Sequence, residues 1–248
     1  MPLQGSDCPD SILVRKTPKS HVHALTHNHA LLRAILNDER PTARRLLKAE
    51  PELARGRVNA AHLYQSKIHH WIYVGDTPLH LAAAGYRVEL VQLLLDAGAQ
   101  PNAATNHRHS GPLHYAADGY VNGPDWNAKR QVQTLQRLLD AGAEINAQDK
   151  NGAAPLHRAV RTRCAAAVKY LLERGSDATL KNKPGSTPFH LAVQDTGRGG
   201  SGAEVARAGQ QEIIREFLSS GLDPTLKDGK GKTVMECARS SWIRELLK

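Results

Sequence analysis

Four histidines, His80, His114, His157 and His190, each close a tetrad that reads Thr-Pro-Leu-His or a near copy of it. Histidine is the side chain most often placed for acid–base work near neutral pH. That chemistry needs one histidine beside a nucleophile or a carboxylate, whereas these return at the same place in successive copies of a motif. Such recurrence points to a hydrogen bond that every copy requires. A second group, His21, His23, His27 and His29, lies in HVHALTHNH. On a helix, His23 and His27 would share a face at the i, i+4 spacing that can hold Zn²⁺ or Ni²⁺. No cysteine or carboxylate stands close by, and a solvated lead-in to the first helix pair accounts for the run more simply. Gly197 to Gly202, GRGGSG, has the glycines of a phosphate cradle, but Ala203 and Glu204 stand where a Walker loop needs Lys and Ser or Thr. Asp195, Thr196 and Gly197 spell an aspartic-protease triplet without a second carboxylate motif to share the proton. Cys8, Cys164 and Cys237 form no CxxC pair. The sequence therefore assigns no catalytic residue, no cofactor and no metal.

The elements that carry the tetrads are short and repeated. In Asp76 to Ala99, DTPLHLAAAGYRVELVQLLLDAGA, Thr77 and Pro78 start a helix, because a Thr oxygen accepts from an orphan amide and proline's fixed φ suits the first turn. Leu79, Leu81, Ala82 and Ala83 give that helix an apolar face that another helix can approach closely, and Gly85 ends it. Val88, Val91, Leu94 and Leu95 follow the spacing of a second amphipathic helix, which Gly98 stops as a left-handed residue. Two such helices cannot enclose a core alone, so they must stack on similar pairs. The tetrads begin at Thr77, Gly111, Ala154, Thr187 and, in degenerate form, Thr233, at spacings of 34, 43, 33 and 46 residues. These fit a period of about 33 residues with an extra residue before Gly111 and insertions in the second and fourth copies. Each pair closes on a related turn, GAQPNA from Gly98, GAEINA from Gly142, GSDATL from Gly175 and GLDPTL from Gly221.

On these motifs the chain resembles the ankyrin repeat family, over Leu25 to Lys248. The resemblance implies an all-α solenoid of stacked helix-turn-helix units with short hairpin tips, terminal capping repeats and three loop insertions. The expected map is a mobile tail at 1–24, an N-terminal cap at 25–54, an insertion at 55–74, repeats at 75–105, 106–148, 149–181 and 182–227, and a C-terminal cap at 228–248. A hydrophobic content of 40% with only 4% aromatic residues suits thin Leu and Ala layers better than a core built on large rings. The few aromatics gather in the first insertion, around Tyr64, Trp71 and Tyr73, either as a cover over the first stacked repeat or as a recognition loop. No apolar run is long enough to cross a membrane, and the three unpaired cysteines suit a reducing, cytoplasmic setting.

Charge is uneven. The chain carries +9 overall, Asn151 to Gly200 alone carries +5, and Ala61 to Lys150 sums to −1. The resemblance implies a groove formed by the hairpin tips and the first helices, in which family members hold other proteins. Carried onto this chain, that surface is Tyr73, Asp76, His107, Arg108, Ser110, Lys150, Asn151, Arg161, Thr162, Arg163, Lys183, Ser186, Gln194 and Asp195. The expected function is a non-enzymatic scaffold for a protein partner with an acidic or mixed segment. Alternatives are an anion or nucleic-acid binder using Arg158, Arg161, Arg163, Lys183 and Arg198, and an inhibitory subunit that inserts its aromatic loop into an enzyme. Nucleic acid is the weaker of these, because no RNA-type aromatic motif accompanies the arginines. Reversing Arg161 and Arg163 to Glu is expected to spare the helices, since neither position belongs to the Leu and Ala core.

Overall fold

The computed structural model describes residues 19–60, 68, 70–119, 121, 126–194 and 204–248, with the side chains of 19–26 and 205 excepted. An N-terminal pair, α1 (Lys19–Leu36) and α2 (Arg40–Ala49), leads through a 3₁₀ turn (Pro51–Arg55) into a series of paired helices. The pairs are α3 (Pro78–Ala84) with α4 (Val88–Asp96), α5 (Pro112–Ala117) with α6 (Ala128–Asp140), α7 (Pro155–Arg161) with α8 (Ala165–Glu173), and α9 (Pro188–Ala192) with α10 (Glu204–Ser219). The short helices α11 (Val234–Cys237) and α12 (Ser241–Leu246) follow. Among the described residues there is no strand, only one isolated bridge between Lys227 and Thr233. The result is an all-α solenoid with an inner row, α3, α5, α7 and α9, and an outer row, α4, α6, α8 and α10, each helix packed on the next of its row.

The inner helices start where their prolines allow. Thr77, Gly111, Ala154 and Thr187 have extended backbones, and Pro78, Pro112, Pro155 and Pro188 follow as the first helical residues, where a missing amide costs nothing. Every residue of α3 is buried, because it packs against its own outer helix and against its inner-row neighbours. The outer helices bury one face, as Leu90, Val91 and Leu94 do in α4 and Leu135 and Leu138 in α6. They end on Gly98, Gly142, Gly175 and Gly221, with φ of +86°, +86°, +87° and +80°. Gly85, expected to end α3, has an ordinary φ of −91°; the left-handed residue is its neighbour Tyr86, at +52°. Asp38 and Arg163, which also follow the first helix of a pair, are left-handed too.

Two elements depart from the expected map. Helix α1 begins at Lys19, inside the stretch assigned to the tail, and α10 begins at Glu204, so EVARAGQ lengthens a helix instead of a loop. Gly209 lets α10 pass close to the turn before α8, since a Cβ there would lie 2.8 Å from the Arg163 carbonyl. The glycine-rich stretch 196–202, Tyr64 and Asp195 lie outside the described residues, as do residues 120 and 122–125 of the stretch between α5 and α6. Among the described residues no helix is long and apolar enough to cross a membrane, and no three potential metal ligands gather.

Candidate interaction surface

The hairpin tips are built by an Asx residue five positions before each later tetrad: Asn106, Asp149, Asn182 and Asp228. Its side-chain oxygen accepts from backbone amides two or four residues on, as Asp149 does from Asn151 at 2.8 Å and Ala153 at 3.0 Å. Asn106 does the same for Arg108 and Ser110, Asn182 for Ser186, and Asp228 for Lys230 and Lys232. Successive tips are then joined by backbone hydrogen bonds: the Lys150 amide donates to Arg108 at 2.8 Å, Lys183 to Asn151 at 2.9 Å and Gly229 to Gly185 at 2.7 Å. This ladder holds the tip side chains at a regular spacing. Its sequence signal is an Asn or Asp at constant distance from the tetrad.

The tetrad histidines join one repeat to the next. His80 Nδ1 accepts from the Thr77 amide at 3.0 Å and from the Thr77 hydroxyl at 2.8 Å, while Nε2 donates to the Ser110 carbonyl at 2.9 Å. His114, His157 and His190 repeat the donation to Ala153, Ser186 and Lys232. A carbonyl can only accept and an amide only donate, so His80, His114 and His157, whose Nδ1 atoms face the amides of Thr77, Gly111 and Ala154, require the neutral Nε2–H tautomer. Burial agrees, pushing His80 and His157 below the usual range and His114 down to about 4, where Arg158 adds to the effect. The structural role read from their recurrence extends across the repeat interface.

Several residues expected on the open groove are spent on the fold. Asp76 is fully buried and accepts from the Tyr73 amide, Asn106 and the Tyr115 hydroxyl, because an interior carboxylate must be satisfied. Ser110 is buried between the His80 and Arg158 donors. Arg163 is buried as well: its guanidinium donates to the carbonyls of Ala192 at 3.3 Å and Gln194 at 2.8 Å, at the end of α9. It is therefore not a groove cation, and reversing it would not spare the helices. Thr162 is half-buried and ties the turn to Gly119 and Arg158. Ser186, also half-buried, gives its carbonyl to His157. Exposed are His107, Lys150, Asn151, Arg161, Lys183 and Gln194, with Tyr73 and Arg108 partly so.

The basic half of the expected groove is largely neutralised. Arg158 is buried between Asp118 at 2.8 Å and Asp149, and Arg161 reaches Asp118 at 3.3 Å. Burial alone would raise the Asp118 carboxyl, but the His70 hydrogen bond with the charges of Arg158 and Arg161 holds it well below the usual carboxylate range. Arg198 lies outside the described residues.

A cleft of about 500 Å³ opens on this face. One wall is the end of the first expected insertion, Ile68, His70, Trp71 and Tyr73; the opposite wall is the stretch after α5, Asp118, Gly119, Trp126 and Asn127. Its floor is the ends of α3, α5 and α7, with Tyr86, Tyr115 and Arg158. His70 bridges the walls, stacking on Tyr115 at 4.2 Å and lying 3.4 Å from Asp118. Gly119 has no room for a side chain, since a Cβ would lie 2.1 Å from Cys164 Sγ. Burial pushes the Cys164 thiol up to about 11, which leaves it protonated and unreactive. Trp71 is 80% exposed, so of the two readings of the aromatic insertion it does not serve as a cover.

A family model described as Ankyrin repeat matches residues 74–106 and 110–150, and one described as Ankyrin repeats (many copies) matches residues 138–192. Among curated proteins, an 88-residue stretch is 38% identical to Alpha-latrotoxin-Lhe1a of Latrodectus hesperus and 36% identical to Alpha-latrotoxin-Lt1a of Latrodectus tredecimguttatus. In both cases the match covers 35% of this chain and 6% of the relative, so the likeness concerns about a third of this chain and a small part of those proteins.

Proposed function

From the premise that this chain carries ankyrin repeats, which generally bind other proteins, we propose that it is a non-enzymatic interaction module holding a partner segment along the inner helices and hairpin tips. The observation that carries this reading is the placement of exposed apolar surface. Among the described residues, the large hydrophobic side chains left exposed are Trp71, at 80%, and Val74, at 56%, both where the chain enters the first complete repeat. A Trp can bury about 150–250 Å² at an interface and is among the commonest anchors there. His107, Lys150, Asn151 and Lys183 stand exposed on tips that the backbone ladder keeps in register. An acidic or mixed partner segment remains the matching chemistry, read from tip cations and not from Arg158 or Arg163. Those two are buried, which removes the main support for a nucleic-acid reading. Cys164 and Cys237 are both free thiols, in keeping with a reducing, cytoplasmic setting.

Photo-crosslinking tests the proposal. A benzoylphenylalanine at Trp71 should trap a discrete partner in cells of origin, while the same group at Arg137, exposed on the outer helix α6, should trap none. Equal capture from both positions, or none from either, would overturn it.

A further inference from the structure

We infer that the cleft between Trp71 and Trp126 receives an aromatic side chain of the partner segment together with a neighbouring carboxylate, which the guanidinium groups of Arg108 and Arg130 bind. This rests on the reading that a partner protein lies along the inner face, and adds the chemistry of its anchor. The volume, about 500 Å³, lies in the range of ligand-binding clefts, about 300–1,000 Å³. Its apolar surface is mostly aromatic: Trp71, Tyr73, Tyr86, Tyr115 and Trp126 line it beside Ile68 and Ala84, in a chain only 4% aromatic. Both side walls come from stretches that interrupt the repeat period, which stacking alone does not require.

The charge inventory selects an anion. Arg87, Arg108, Arg130, Arg158 and Arg161 line the cleft, against Asp118 as the one carboxylate among the described lining residues. Arg158 and Arg161 consume that carboxylate, Arg158 also takes Asp149, and Arg87 pairs with Asp38 at 3.5 Å. Arg108 and Arg130 pair with no carboxylate among the described residues. Arg108 is already oriented: one nitrogen donates to the Tyr73 hydroxyl at 3.0 Å, and the guanidinium lies over that ring, 5.4 Å from its centre. The remaining donors of such a fork match a carboxylate in two parallel hydrogen bonds. Both arginines line the same cleft as Trp71 and Trp126.

Selection of peptides from a random display library on the full chain tests this without knowledge of the native partner. Recovered peptides should carry Asp or Glu within two residues of Trp, Tyr or Phe. Changing that acid to its amide should weaken binding at least tenfold. The double variant Arg108→Gln, Arg130→Gln should do the same while keeping the helical circular dichroism, and combining the two changes should cost no more than either alone, because they remove the same contact. Peptides without an acid, additive losses, or no recovered peptide would overturn the inference. Peptides that lose affinity for Trp71→Ala but not for the arginine variant would overturn the carboxylate contact and leave the inner-face reading standing. Peptides indifferent to both variants would remove both.

Discussion

At the scale of the residue, His80, His114 and His157 act as neutral crosslinks, and their protonation opposes folding. His114 is the clearest case, because burial and the nearby Arg158 bring it from 6.5 to about 4. Between those values the unfolded chain binds a proton that the folded chain refuses. Its contribution is complete above about pH 6.5 and is lost as pH falls toward 4. The gap corresponds to about 3 kcal/mol. The native chain should therefore lose about 2–3 kcal/mol more than His114→Gln between pH 7 and pH 4 in urea titrations. Parallel pH profiles for the two proteins would show that His114 is not the titrating group. Asp76 belongs to the same scale: a carboxylate that reads as a solvent-facing tip residue is a fully buried acceptor.

At the scale of the element, the left-handed residue after the first helix of a pair reaches into the next repeat. Asp38 pairs with Arg87, the Tyr86 hydroxyl donates to the Asp118 carbonyl, and Arg163 donates to the carbonyls that close α9. A positive φ at a residue other than glycine costs of order 1–3 kcal/mol, so the crosslink must outweigh it. Arg163→Glu would set a carboxylate against carbonyl oxygens and should destabilise the fold by more than about 2 kcal/mol. Arg161→Glu, at an exposed end of the same turn, should cost no more than about 1 kcal/mol. Thermal unfolding followed by circular dichroism compares them, and equal losses would contradict this division of roles.

At the scale of the whole molecule, stability is passed from neighbour to neighbour. Each inner helix packs on the next, and the histidines and tip amides repeat the connection. The last links run from His190 to the Lys232 carbonyl, and Val234 and Ile243 are buried in the same core as Phe189 and Phe217. Deleting 228–248 strips that cover and leaves His190 Nε2 without its carbonyl. The shortened chain should unfold at lower temperature and self-associate on a sizing column; an unchanged melting temperature and a clean monomer would contradict the chain of couplings.

The repeat architecture was legible because it is local. Proline after the helix start, glycine after the outer helix, apolar residues at helical spacing and a returning histidine are all read from neighbours a few positions apart. The insertions were visible as departures from the period, though not that the ends of two of them face one another across a cleft. What only the tertiary structure decided is which charged groups are consumed by the fold. Arg158 takes one carboxylate nine positions away and another 40 positions away, and Arg163 caps a helix that begins 25 positions later. Nothing in local pattern distinguishes these arginines from Arg108 or Arg161. A buried charge persists only where distant elements bring its partners together, and that pairing is a property of the packed repeats.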